Sequence, residues 1–317
     1  MNTLGLIIVG LAGLILGGEL LVRGAVSAAK AFGISPMVIG LTLVGFGTST
    51  PELVTSLQAA LAGSPGIAMG NVVGSNIGNI LLILGIAALI APIAVNPAAF
   101  KRDGTVVVLA TAACLAAVLV GDVGRITGVL FLLALAAYLS FTLVSERRAS
   151  GSAATAVYEA EADAIPGSDQ SLGVALALVV VGLVVTIVAA RFLVSGAVSA
   201  AQAVGISETV IGLTIVAIGT SMPELVTSII AVRKGQGEVA LGNVLGSNIF
   251  NILAILGITA LVQPMTVPQE IIRLDIWVMC AATALLVFVA RTGWRIGRLE
   301  AGLMLVCYIG YLGWLLA

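Results

Sequence analysis

Apolar residues run along this chain in stretches of about twenty, separated by short clusters of glycine, proline and polar residues. Ten such stretches fall near 4–29, 38–61, 69–92, 104–121, 126–145, 172–198, 209–232, 240–263, 274–290 and 299–316. A helix of roughly 20 apolar residues crosses the hydrocarbon core of a bilayer. The pattern therefore predicts an all-α integral membrane protein with ten transmembrane helices. It breaks once, at ERRASGSAATAVYEAEADAIPGSDQS, which is small, polar and acidic. That composition predicts a flexible linker over 147–171 between two five-helix halves, 1–146 and 172–317.

The two halves are copies. Residues 22–96 align without a gap to 194–268 at an offset of 172, with 47 identities in 75 positions. VGFGTSTPELVTS at 44–56 returns as VAIGTSMPELVTS at 216–228, and GNVVGSNIGNILLILG at 70–85 returns as GNVLGSNIFNILAILG at 242–257. An odd number of spans per copy makes the copies enter the membrane in opposite directions, so the expected architecture is two inverted-topology repeats of five.

Charge tests that expectation. Loops 1–2, 3–4, 5–6, 7–8 and 9–10 carry Lys30, Lys101, Arg102, Arg147, Arg148, Arg233, Lys234, Arg291, Arg295 and Arg298, while the opposite side holds only Arg125 and Arg273. By the positive-inside rule the first group faces the cytoplasm. The expected location is the cell membrane, with both termini outside and the linker cytoplasmic. The N-terminus lacks the basic segment of a signal peptide and is read as a first span that is retained.

Composition narrows the function. Sixty per cent of the 317 residues are hydrophobic and 9% are charged, with a mean hydropathy of +1.20. No room remains for a large water-soluble domain. A net charge of −1 leaves no basic patch for nucleic acid, and the lack of histidine excludes histidine-based zinc sites and catalytic triads. Cys114, Cys280 and Cys307 stand singly in apolar runs and are expected to be buried packing residues.

Of fifteen acidic residues, Glu19, Glu52 and Glu224 fall well inside expected spans. Glu52 and Glu224 are repeat mates, and no Lys or Arg lies in the central helices away from their ends. A carboxylate at that depth costs several kcal/mol without compensation, so the counter-charge must come from solution. Pro51 and Pro223 precede the glutamates, and each removes a backbone N–H and kinks its helix, freeing carbonyls near Gly47 and Gly219. Thr48 and Thr220 precede the glutamates by four residues and Ser49 and Ser221 by three, placing them on the same helical face. Asn71, Ser75 and Asn79 recur every four residues, as do Asn243, Ser247 and Asn251. Taken alone, these small polar residues equally fit helix packing. Together they are hard oxygen donors suited to Ca²⁺ and Na⁺ rather than Zn²⁺ or Cu⁺. Glu19 has no acidic mate, its counterpart being Arg191.

At these motifs the sequence resembles the cation/calcium exchanger superfamily, and most of all its prokaryotic sodium/calcium exchangers, over nearly the whole chain. The resemblance implies a central site built from helices 2, 3, 7 and 8, with helices 1 and 6 sliding over it for alternating access. It implies carboxylate ligands Glu52 and Glu224. Thr48, Ser49, Thr220, Ser221, Ser75, Ser247 and the backbone of Gly45 and Ala217 would supply hydroxyl and carbonyl ligands, and Asn79 an amide that closes the site. Several relatives, including potassium-dependent exchangers, carry Asp where this chain has Asn251, which argues against potassium co-transport. The linker is too short for the calcium-sensing domains of vertebrate members.

The expected function is thus secondary antiport of sodium for calcium at a two-glutamate site, with no resident cofactor, and with Ca²⁺, Na⁺ and the lipid bilayer as partners. Nothing in the sequence demands an oligomer. A proton/calcium exchanger and a potassium-dependent exchanger are the alternatives, and a passive cation channel with the same ligands is a third.

Overall fold

The computed structural model describes residues 2–32, 45–148, 170–233 and 235–316. Nearly all of the expected linker, and the start of the second expected span, lie outside the described residues.

The apolar stretches form long helices. These are α1 (Thr3–Ala31), the short α2 (Gly45–Thr48), α3 (Thr50–Leu61), α4 (Pro65–Ile90), α5 (Pro97–Val120) and α6 (Arg125–Arg148) in the first half. The second half holds α7 (Leu172–Val204), α8 (Glu208–Thr220), α9 (Met222–Arg233), α10 (Gly237–Val262), α11 (Ile271–Arg291) and α12 (Arg298–Leu315). Among the described residues, seven of these helices are long and apolar enough to cross a membrane, and the bent pair α8–α9 makes an eighth candidate span. At 1.5 Å per residue the 26-residue α4 is about 39 Å long, more than a ~30 Å hydrocarbon core requires.

Local chemistry sets the helix ends. Asn2 caps α1 by accepting from the Gly5 N–H at 2.8 Å. Asn96 caps α5 by accepting from Ala98 and Ala99 at 3.0 and 3.2 Å, with Pro97 in the first turn. Gly121 closes α5 at φ +91°, in the left-handed region that only glycine enters without strain.

Burial orders the bundle. The most apolar windows of α4 and α10 are 78% and 83% buried, whereas that of α7 is 22% buried. The helices carrying the GSN motifs therefore form the centre, and α7 turns most of its Val and Leu side chains outward toward lipid. Helix α1 packs against α7 in opposite directions. A Cβ on Gly10 would meet Leu193, one on Gly17 would meet Thr186, and one on Gly24 would meet Ala175, so one helix ascends as the other descends. Since α1 and α7 open the two halves, this antiparallel contact is the one an inverted repeat requires.

Two small antiparallel pairings close the ends. Strand β1 (Ile93–Ala94) pairs with β4 (Arg295–Ile296), and β2 (Asp122–Val123) pairs with β3 (Met265–Thr266). An offset of 172 carries β1 onto β3 and one of 173 carries β2 onto β4, so each pairing maps onto the other. At mid-bundle, the mates Thr111 and Thr283 meet hydroxyl to hydroxyl at 3.3 Å.

One expectation from composition fails. Cys114 is buried, but Cys280 is only partly so and Cys307 is exposed on the outer face of α12. In a bilayer the outer face is itself apolar, so a thiol there pays no penalty and the surrounding sequence looks the same.

Candidate ion-binding site

Each half supplies a broken helix. Ser49 (φ −87°, ψ 8°) interrupts α2 and α3, and Ser221 (φ −84°, ψ 10°) interrupts α8 and α9, with a 45° bend between the latter two. The breaks fall at the serines, two residues before the prolines where the sequence placed the kinks. Pro51 and Pro223 occupy the second position of α3 and α9, where no intrahelical N–H bond is needed. The serine carbonyls start the new helices, accepting from Leu53 at 3.1 Å and Leu225 at 3.2 Å.

The break re-aims the hydroxyls. Helical spacing places Ser49 beside Glu52 and Ser221 beside Glu224, yet the structure exchanges the partners. Ser221 donates to Glu52 Oε1 at 2.9 Å, and Ser49 donates to Glu224 Oε1 at 3.1 Å. The Ser75 hydroxyl lies 3.1 Å from that of Ser221, while Ser247 lies 3.4 Å from both Ser49 and Glu224 Oε1. The Thr48 side chain likewise faces Glu224, and Thr220 faces Glu52. Each carboxylate is therefore held by hydroxyls from the opposite repeat, and Glu224 also by Ser247 of its own.

The asparagines divide into two roles. Asn71 donates to the Glu52 carbonyl at 3.1 Å and to Ser56 at 2.9 Å, and accepts from Thr220 at 3.0 Å. Its mate Asn243 donates to the Glu224 carbonyl at 3.3 Å and to Ser228 at 3.2 Å. These two fix the glutamate-bearing backbones. Asn79 and Asn251 instead open π-helical turns, Asn79–Leu84 and Asn251–Leu256, inside α4 and α10. Such turns are rare and cluster at functional sites. Asn79 donates to Asn248 Oδ1 at 3.0 Å, and Asn248 donates to the Asn76 carbonyl at 3.4 Å. Asn251 bonds to nothing with either side-chain atom. Asn76 and Asn248 escape a reading by four-residue spacing, although both lie inside the repeated GSN motif.

What remains is a set of buried oxygens without partners. Glu52 and Glu224 are each 1% exposed, and in both Oε1 is bonded while Oε2 has no donor. Asn76, Asn79 and Asn251 each leave Oδ1 unpaired. Buried polar atoms are almost always satisfied, and no Lys or Arg side chain bonds either glutamate among the described residues. Two carboxylates with hydroxyl and amide oxygens form a donor set for a hard cation. Among the described residues, no group of three or more His, Cys, Asp or Glu side chains gathers, here or elsewhere.

The remaining expected ligands are backbone groups. The Ala217 carbonyl accepts from Ser221 N at 3.1 Å and Thr220 Oγ1 at 3.3 Å, and Gly45 opens the turn that carries Thr48. Glu19 stands apart, paired with Arg23 one turn along α1. Two acids that the sequence reading missed, Asp103 and Asp275, are buried within α5 and α11. They are offset by 172, so extending the repeat alignment past residue 96 reveals them.

The chain has relatives among known proteins. The family described as sodium/calcium exchanger protein matches residues 2–144 and 174–317. The putative antiporter CaxA of Alkalimonas amylolytica is 40% identical over 309 residues, covering 96% of each chain. The sodium/calcium exchanger MaX1 of Methanosarcina acetivorans is 33% identical over 337 residues, covering 97% of this chain and 96% of its own. The solved structure of the sodium-calcium exchanger NCX_Mj, soaked with Na⁺ and Sr²⁺, superposes with a TM-score of 0.66 at 33% identity, covering 98% of this chain and 97% of that one. The chain is a multi-pass membrane transporter, and it belongs to the sodium/calcium exchanger family.

Proposed function

We propose that this protein exchanges sodium for calcium across the cell membrane by alternating access at the Glu52–Glu224 site. Ten spans in two inverted sets of five carry it, with both termini outside and the linker cytoplasmic. The observation that supports the site most directly is the pair of buried carboxylates, each with one oxygen held by a serine of the other repeat and the other oxygen unpaired. Thr48, Ser49, Thr220, Ser221, Ser75, Ser247, Asn79, Asn251 and the backbone of Gly45 and Ala217 complete the donor set in this reading. A single chain supplies all of it, so a monomer suffices.

The charge of the site makes exchange intelligible. Two ionised glutamates give about −2, which one Ca²⁺ neutralises, whereas three Na⁺, the stoichiometry that the family resemblance implies, leave about +1. Ca²⁺ and Na⁺ compete for the same oxygens, and that competition couples their movements. An empty doubly negative site resists crossing the barrier, which suppresses leak.

Uptake of ⁴⁵Ca²⁺ into proteoliposomes, driven by imposed Na⁺, K⁺ or H⁺ gradients, tests the reading. The expected result is uptake driven by Na⁺ alone, undiminished without K⁺, in keeping with the uncharged Asn251. Glu52→Gln and Glu224→Gln are each expected to abolish it while elution volume and thermal unfolding stay as in the parent protein. Uptake driven by H⁺ without Na⁺ overturns the choice of coupling ion, and near-normal exchange by either variant removes the glutamates from the centre of the mechanism.

A further inference from the structure

The repeat mates Asp103 and Asp275 occupy equivalent places and meet different fates. The Asp103 carboxylate is gripped by Arg102, at 2.7 Å from Nε and 2.9 Å from Nη2, and accepts from the Tyr138 hydroxyl at 3.1 Å. The position equivalent to Arg102 in the second half is Leu274. Asp275 accepts only from the Tyr311 hydroxyl, to Oδ1 at 2.8 Å, and its Oδ2 is buried without a donor. The residue is 1% exposed, within the π-helical turn Ile271–Asp275 that opens α11.

Among the described residues no positive charge pairs with it, and the charge that acts on it is the like-signed Glu270. On its own turn, Glu270 accepts from Thr209 at 3.3 Å, and Arg273 is exposed. Helix α12 presents Tyr308 and Tyr311, α5 presents Cys114 toward Cys280, and the facing stretch of α4, Pro65–Gly78, has no titratable side chain. An ionised carboxylate buried with a single hydroxyl donor is strongly disfavoured, and neutralisation is the usual resolution.

We propose that Asp275 is a proton-binding site, separate from the ion site, that is occupied in this conformation. Tyr308, one turn before Tyr311 on the same face of α12, lines a narrow cleft of about 10 Å³ that also reaches Ser221, the serine bonded to Glu52. Tyr308 therefore stands between the Tyr311–Asp275 pair and the cleft beside Ser221. Because the conformation holds the neutral carboxyl, low pH favours it, and rising pH withdraws it from the cycle. Asp103 differs in having the Arg102 guanidinium on its carboxylate.

Infrared difference spectra recorded across a pH jump read the site directly, independent of transport. The expected result is a protonated-carboxyl C=O band that Asp275→Asn loses, that Asp103→Asn keeps, and that persists in the Glu52→Gln/Glu224→Gln double variant. Leu274→Arg, which rebuilds the arginine grip of the first repeat, is expected to remove the band as well. In flux assays the parent protein is expected to lose activity several-fold as pH rises, and Asp275→Asn to flatten that limb while matching the parent at low pH. A band unchanged in Asp275→Asn, or a pH profile that superposes on the parent, overturns the proposal. Failure of the double variant to exchange bears only on the ion site.

Discussion

At the scale of single residues, the governing fact is that each glutamate is held from across the pseudo-symmetry. Ser221 donates to Glu52 at 2.9 Å, and Ser49, at 3.1 Å, with Ser247, at 3.4 Å, serves Glu224. A hydrogen bond to a charged group contributes about 1.5–3 kcal/mol, and about 1.4 kcal/mol is tenfold in affinity. Ser221→Ala is therefore expected to weaken calcium binding roughly ten- to hundredfold, measured by titration calorimetry on the purified protein. Ser49→Ala should cost less, since Ser247 still reaches the same oxygen; equal losses would mean that the Ser247 contact carries no weight. Sequence alone made the cast of this site readable, because acids in an apolar run can be found by counting and the duplication marks which ones matter. The pairing was not readable. Spacing along an unbroken helix puts a serine beside its own glutamate, and only the break at Ser49 and Ser221 turns each hydroxyl toward the other repeat. Asp275 went unremarked for a related reason: it stands near the end of its apolar run, where an acid is ordinarily solvated, and only the packing of Tyr311 over it makes it buried.

At the scale of elements, helix positions follow from the apolar runs with little ambiguity. The run at 240–263 became Gly237–Val262, and that at 126–145 became Arg125–Arg148. Hydrophobic length fixes such helices because the bilayer, not a particular partner, demands it. The π-helical turns at Asn79 and Asn251 left no trace in that pattern, since widening one turn by a residue changes hydrogen bonding without changing hydropathy. Small residues decide how the elements meet. A Cβ on Gly10 would lie 2.6 Å from Leu193 N and 2.8 Å from its Cα, backbone atoms that cannot swing aside. Close approach through glycine is a common way to join helices in lipid, where no hydrophobic drive exists between them. Gly10→Ala is thus expected to destabilise the α1–α7 pair by about 1–3 kcal/mol, the usual cost of overpacking. Gly310→Ala on α12, with nothing within 4 Å of the new methyl group, is expected to be neutral or slightly stabilising through helix propensity. Thermal unfolding in detergent separates the two, and equal melting of both variants would mean that α1 and α7 adjust freely.

At the scale of the whole molecule, the two halves are interchangeable in outline and unequal in detail, and the inequality is where function can act. Strand pairings and the Thr111–Thr283 contact map onto themselves under exchange of the halves. Asn79 is bonded to Asn248, yet Asn251 is not bonded to Asn76, so the structure holds one of two related arrangements. In the inverted-repeat carrier proposed above, the halves trade conformations to reach the opposite state, and the mirror bond from Asn251 to Asn76 is the one expected there. The charge carried through such a cycle can be measured. If three Na⁺ cross for each Ca²⁺, one net charge moves per turnover, worth about 2.3 kcal/mol per 100 mV, or roughly a 40-fold shift in the equilibrium calcium ratio. Valinomycin-clamped liposomes at equal Na⁺ on both sides are expected to accumulate ⁴⁵Ca²⁺ in the compartment made positive, with a gradient that grows by that factor for each 100 mV. A gradient indifferent to voltage would mean two Na⁺ per Ca²⁺ and a site that is neutral in both loaded forms, which two ionised glutamates also permit. Voltage dependence therefore reads out how many of the buried oxygens between the two repeats are filled at once.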